Sequence, residues 1–242
     1  MKAFLASLQF LTIFPWPRRA ARSGEEIARG AAFFPVVGFL LGMVLLFADF
    51  SLRRFLPPTL LAAALVALLA VLSRGLHLDG LADTFDGLGA GGARQSMLTV
   101  MDDPRTGVFG VLAVVFVILF KIYAIEAVAE RRPALLIAPV LGRWAVVLLA
   151  YRSTAAKEGL GSLLLAQMSG APLLFATGTA FILTAAFSGM RGLAIMAFVA
   201  LFALAAKSYF HQRLGGVTGD TFGAVEELSE TAVLVAFAVG RG

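Results

Sequence analysis

The chain has 242 residues, 60% of them hydrophobic and only 14% charged, with a mean hydropathy of +0.89, which is more apolar side chain than one soluble core buries. Lipid must therefore be the main solvent, and the absence of cysteine excludes disulfides, thiolate metal sites and a cysteine nucleophile, so any metal would be held by oxygen. The net charge of +5 would suggest nucleic acid in a soluble protein, but here the basic residues sit at the ends of apolar runs, where they set orientation and touch headgroups, so no nucleic-acid partner is expected.

The opening MKAFLASLQFLTIFP places Lys2 before an apolar stretch, as a signal peptide does. Pro15, Pro17, Arg18, Arg19 and Arg22 follow with no small-residue cleavage motif, which predicts a retained short helix. Spanning runs are predicted at Ala31–Phe50, Thr59–Ser73, Gly107–Val128, Pro133–Tyr151, Pro172–Ser188, Leu193–Lys207 and Glu227–Val239. The hydrocarbon core is about 30 Å thick and needs about 20 apolar residues per helix, so the length has room for about six or seven spans. The expected fold is all-α, a polytopic integral membrane helix bundle forming a single transmembrane catalytic domain over 1–242. Pro57-Pro58, Gly75, Pro104, Pro133, Gly159, Gly161, Gly170, Gly189 and Gly215-Gly216 mark the joins.

Only two connections are long and polar, Arg74–Thr106 and Lys207–Val225. With residues 15–30 on the cytoplasmic side, twelve Lys and Arg fall on that side and six on the other, while Lys121 and Arg143 lie inside spans. That bias predicts that both polar connections lie on the cytoplasmic face. Lys121 is expected to pair with Glu126, one long turn away.

The first polar connection carries His77-Leu78-Asp79-Gly80-Leu81-Ala82-Asp83-Thr84-Phe85-Asp86-Gly87. On a helix, Asp83 lies about 40° from Asp79 and Asp86 about 20° to the other side, so all three carboxylates share one stripe. A cation must neutralise such a stripe, and aspartates at the bilayer edge suit Mg²⁺, Mn²⁺ or Ca²⁺. His77 points about 200° from Asp79 and is not taken as the base. Just before the next span, Met101-Asp102-Asp103-Pro104-Arg105-Thr106-Gly107 offers a guanidinium able to fork onto phosphate oxygens; a helix start capped by Asp103 with Arg105 snorkelling explains it equally. The second polar connection runs Leu214-Gly215-Gly216-Val217-Thr218-Gly219-Asp220-Thr221-Phe222-Gly223, with Glu227 seven residues after Asp220 on the same face and Glu230 deeper in the apolar run. It reads as a second carboxylate cluster or as a helix N-terminus capped by Asp220. Arg143 could neutralise carboxylates or a substrate phosphate. Such a membrane-edge site suits phosphoryl transfer, in which a metal and Arg stabilise phosphate charge and a carboxylate takes the proton of the attacking hydroxyl.

At these residues the sequence resembles the adenosylcobinamide-GDP ribazoletransferase (cobalamin-5'-phosphate synthase) family. The likeness runs through F-L-T-I-F-P, Phe34-Pro35-Val36-Val37-Gly38, G-L-H-L-D-G-L-A-D-T-F-D-G, M-D-D-P-R-T-G, Gly142-Arg143 and G-G-V-T-G-D-T-F-G-A in order. The resemblance implies transfer of the cobinamide-phosphoryl group of adenosylcobinamide-GDP to α-ribazole or its 5'-phosphate, with release of GMP and a requirement for Mg²⁺. It also implies a fold like that of CDP-alcohol phosphotransferases, although the D-G-x-x-A-R spacing of those lipid enzymes is absent. On this basis Asp79, Asp83, Asp86 and Asp220 are expected at metal, Asp83, Asp220 and Glu227 in catalysis, and Arg105, Arg143 and Asp103 at the substrate phosphate. A homo-oligomer is compatible with the sequence. A CDP-alcohol phosphotransferase and a cation- or proton-coupled transporter are the competing readings.

Overall fold

A computed structural model describes residues 2–14, 24–166 and 168–239. The basic stretch at 15–22 and Arg241, counted above for orientation, lie outside the described residues. Among the described residues the chain is helical with no strand, and one isolated bridge joins Ala155 to Val217. The helices are α1 (Lys2–Leu11), α2 (Gly24–Gly30), α3 (Phe34–Leu52), α4 (Pro58–Leu72), α5 (Leu76–Ala90), α6 (Arg94–Met101), α7 (Val108–Ala127), α8 (Arg131–Ala150), α9 (Leu160–Ala166), α10 (Gly170–Leu214) and α11 (Gly219–Ala238), with a 3₁₀ turn at Ala31–Phe33 between α2 and α3. Four helical stretches are long and apolar enough to cross a membrane, or five if the bent pair α4 and α5 forms one broken span. The chain is thus an all-α polytopic membrane protein. Phe47, Phe55, Leu174, Met190 and Leu201 point outward, as lipid-facing side chains do.

Helix α8 is almost wholly buried, with Arg143 as the one charge inside it, and α3, α10 and α11 pack around it. Gly38 and Gly42 bring α3 against it. A Cβ at Gly42 would stand 2.8 Å from the Leu135 carbonyl oxygen, and one at Gly38 2.9 Å from Val140 Cα. The Gly-x-x-x-Gly spacing is what lets two backbones approach where no hydrophobic effect drives them together. At the far end Arg131 holds Asp49 at 3.2 Å.

The predicted legs Pro172–Ser188 and Leu193–Lys207 form one helical stretch that doubles back at Gly189 (φ 56°, ψ −146°). A Cβ on Gly192 would lie 2.9 Å from the Thr184 methyl, eight residues earlier, whereas a straight helix separates such residues by about 12 Å. Trp144 ties one leg to α8 through Thr177, and Lys207 ties the other through the Tyr151 carbonyl.

Helix α4 runs from the far end, where Thr59 donates to Glu126 (2.6 Å), to the near end, where the Leu72 carbonyl accepts from Ile13 N–H (2.7 Å). Arg74 and Gly75 then take left-handed backbone (φ 57° and 65°), and the chain turns by 90° into α5. Helix α5 accordingly lies at the near end rather than crossing the membrane again. The polar connections meet there: Arg94 donates to the Ala156 carbonyl (3.2 Å), and Val217 accepts from Ala156 N–H and donates to the Thr154 carbonyl in the 151–160 loop.

Candidate active site

Helices α5 and α11 cross on glycines. A Cβ at Gly80 would meet the Asp220 carbonyl oxygen at 2.8 Å, and one at Gly223 would meet the His77 carbonyl oxygen at 2.8 Å. The glycines of D-G-L-A-D and G-D-T-F-G thus set a helix crossing, and that crossing brings the first carboxylate stripe to the start of α11. Helix α11 begins at Thr218, which accepts from Thr221 N–H (3.2 Å) while its own N–H donates to the Thr221 hydroxyl (2.9 Å). This capping box starts the helix eight residues before the predicted span. It also corrects the expectation of Asp220 as cap: Asp220 sits in the first helical turn.

Asp79, Asp83 and Asp220 share this corner with Lys157 of the 151–160 loop. Lys157 Nζ stands 2.6 Å from Asp102 Oδ1 and 2.9 Å from Asp220 Oδ2. Burial pushes the Asp83 carboxyl up to about 6, the Asp79 and Asp220 charges push the same way, and Lys157 opposes them. Burial lowers the Lys157 ammonium, but hydrogen bonds to Asp102 and Asp220 outweigh it and raise the group above its ordinary value. The corner opens on a cavity of about 330 Å³ lined by His77, Asp79, Asp102, Lys157 and Asp220.

The structure does not bring the other expected residues here. Asp86 lies on α5 as predicted, but its carboxylate turns to α7, accepting from Gly107 N–H (2.6 Å) and Gly110 N–H (2.8 Å). It anchors the positive end of the α7 dipole and is not gathered with Asp79, Asp83 and Asp220. Arg105 faces solvent, 87% exposed, and forks onto Asp103 (2.9 and 2.7 Å), which leaves it three N–H donors, and Asp103 caps nothing. Hydrogen bonds from Arg105 hold the Asp103 carboxyl down at about 2.

Arg143 is fully buried and meets Glu226 (2.5 Å) and Glu230, which makes it a counter-ion to carboxylates and removes it from any substrate phosphate. Lys121 pairs not with Glu126 but with Glu227 and Glu230, both at 2.6 Å. Glu227 is therefore held inside the bundle by Lys121, behind the cavity. His77 Nδ1, 3.2 Å from Glu226 Oε2, links this buried network to the cavity wall. His77, Glu226 and Glu227 are the one acidic or imidazole trio among the described residues whose ligand atoms all approach within 4.8 Å. Two fixed cations already answer its carboxylates, so a metal has less to gain there. The Asp79, Asp83 and Asp220 oxygens lie further apart, yet they form the hard-oxygen set whose own repulsion a divalent cation would relieve, and they border open space.

Sequence reasoning missed Lys157, Asp102 and Glu226. Glu226 was visible as the neighbour of Glu227, three residues from Gly223 at the crossing; Lys157 stands in an unremarkable loop and no local pattern singles it out.

The model of the cobalamin-5-phosphate synthase family matches residues 3–238. An adenosylcobinamide-GDP ribazoletransferase from Geotalea daltonii is 38% identical over 97% of this chain and 96% of its own length. Proteins of the same name from Pseudomonas paraeruginosa and Syntrophobacter fumaroxidans are 42% and 39% identical, over 99% and 97% of this chain and 98% and 97% of their own lengths. No solved structure matches. With a near-complete match to the family and relatives of the same length, the chain belongs to the cobalamin-5-phosphate synthase family.

Proposed function

We propose that the chain transfers the cobinamide-phosphoryl group of adenosylcobinamide-GDP to α-ribazole or its 5'-phosphate, releasing GMP, in the cytoplasmic leaflet of a bacterial inner membrane. Beside family membership, the observation that carries this reading is the meeting of Asp79, Asp220 and Lys157 on one cavity at the membrane edge, with the Asp83 carboxylate close enough to feel all three charges.

A hydroxyl of the acceptor attacks the phosphorus that bears cobinamide, the bond to the GMP oxygen breaks, and the hydroxyl proton passes to a carboxylate of the cluster. Asp220, in the first turn of α11, and Asp83 opposite it on α5 are the groups in position to take it. Lys157 supplies positive charge where phosphate charge accumulates, and its three donors let it hold a phosphoryl oxygen in place of Asp102. Asp79, Asp83 and Asp220 would hold Mg²⁺, which supplies Lewis-acid stabilisation of the diphosphate oxygens. The Gly80–Gly223 crossing fixes the distance between the two carboxylate-bearing helices.

The test is GMP release by purified protein in liposomes supplied with adenosylcobinamide-GDP, α-ribazole-5'-phosphate and Mg²⁺, beside Asp83→Asn. GMP and a cobalamin product, lost in the variant and on chelation, is the expected result. A folded wild type that leaves these substrates untouched but consumes a CDP-alcohol would replace the reading.

A further inference from the structure

Helix α5 stands between two hollows, and the second is not part of the site described so far. On one side is the smaller, partly open 330 Å³ cavity, and on the other a more open groove of about 850 Å³ runs between α5 and α7 along the flank of the bundle. Leu76 and Asp79 line both, whereas His77 and Gly80 face only the cavity and Leu78 and Ala82 only the groove. This division follows from the helix itself, because neighbouring residues leave its axis about 100° apart. One carboxylate is thereby reachable from both sides.

The hollows differ in size and in the charged groups they carry. The cavity has an apolar wall that includes Phe10, Phe34 and Phe222, and Asp102, Lys157, Glu158 and Asp220 supply its charge. The groove has an apolar floor of Leu78, Val111, Val114 and Val115, while Arg74 and Thr106 add donors beside Asp79. Its α7 wall belongs to a membrane-crossing helix, and Val111 and Val115 are about half exposed on it.

Resting on the reading under Proposed function, we propose that the groove between α5 and α7 is the seat of the donor, a macrocycle carrying a nucleoside diphosphate, and that the smaller cavity takes the acceptor nucleoside. Pockets of about 300–1,000 Å³ enclose drug-sized ligands, so a nucleoside fits the cavity, and a macrocycle joined to a nucleoside diphosphate does not. Only the open groove admits it. The apolar floor meets the methyl-rich macrocycle, and the Arg74 guanidinium, which spends one N–H on the Phe10 carbonyl, has four donors left for diphosphate oxygens. The two substrates then approach from opposite faces of α5, and Asp79 is where they meet. Such an arrangement places attacking oxygen and leaving group on opposite sides of the phosphorus, as in-line transfer needs.

The experiment uses the full chain in nanodiscs and compares Val115→Trp, which fills the groove from a lipid-facing position, with Glu158→Trp at the exposed rim of the cavity. Val115→Trp is expected to raise the donor KM about tenfold while the acceptor KM holds, and Glu158→Trp to do the reverse. Val111→Trp serves as a second groove variant should Val115→Trp lose its folded elution profile. Equilibrium titration of each substrate into each variant gives the same split independently of turnover. An unchanged donor affinity in both groove variants, or equal losses for both substrates, overturns the assignment. Wild-type turnover is scored first, so failure of the reaction itself is distinguished from failure of the two-seat arrangement.

Discussion

Gly80→Ala tests how closely the site depends on the α5–α11 crossing. The added methyl would sit 2.8 Å from the Asp220 carbonyl oxygen and 3.0 Å from Asp220 Cα, and both are backbone atoms that cannot swing aside. Ordinary contact begins near 3.4 Å, so the helices must part by about 0.6 Å at the point where Asp79 and Asp83 face Asp220. Overpacking of this kind costs about 1–3 kcal/mol. A displacement approaching 1 Å in a reacting constellation costs up to about 10²-fold in rate, so kcat for GMP release should fall about 10- to 100-fold. Gly178→Ala is the matched control: that glycine lies in α10 with nothing within 4 Å of the added methyl, and the change should be neutral or stabilise by up to about 1 kcal/mol. Turnover and thermal unfolding in nanodiscs are measured on both. A Gly80→Ala enzyme with wild-type kcat would show that the separation of the two helices does not set the chemistry.

Three further outcomes follow from the geometry. Lys121→Met leaves Glu227 and Glu230 without their shared cation and should cost about 3–5 kcal/mol in unfolding, part of which returns when Glu227→Gln is added; a single variant as stable as wild type would refute the pairing. Asp86→Asn weakens two bonds to the α7 N-terminus and should cost about 1.5–3 kcal/mol while divalent-cation affinity, followed by calorimetry, stays unchanged; a loss of affinity like that of Asp83→Asn would return Asp86 to the metal site. Asp83 is pushed up from 3.8 to about 6, so the folded protein binds that proton more tightly than the unfolded chain, and the associated stability is present at low pH and lost as pH rises through that window. In metal-free protein Asp83→Asn should therefore gain on wild type in melting temperature between pH 5 and pH 7, and parallel curves would refute the shift.

Much of the bundle was legible because its elements are local. Runs of apolar residues bounded by proline and glycine marked the spans of α3, α4, α7 and α8, and Gly189 marked the reversal in α10. The stripe of Asp79, Asp83 and Asp86 needed only the helical period, and α5 is indeed a helix. What the period cannot give is which neighbour a side chain meets. Asp86 differs from Asp79 by about 20° on the helix, yet α7 ends beside the first and the cavity opens beside the second. Lys121, Arg143 and Glu227 were visible as intramembrane charges, but their pairing joins residues 83 to 109 positions apart, and no local spacing encodes that. The nearer partner, Glu126, was the obvious choice and the wrong one, since Thr59 holds it at the far end.

The ion network inside the bundle also constrains how the protein is made. Lys121 arrives in the bilayer on α7 and Arg143 on α8, while all three of their carboxylate partners ride on α11, the last of the described helices to be synthesised. Each unpaired charge at the centre of an inserting helix costs about 2.5–3.5 kcal/mol, so α7 and α8 enter at a disadvantage, and α11, with three glutamates, is not among the helices apolar enough to cross by themselves. The penalties cancel only when the three helices come together. Helix α11 must therefore be delivered to a waiting cationic slot rather than released singly into lipid, and the site corner, built on the first turn of that same helix, comes into being when that slot is filled.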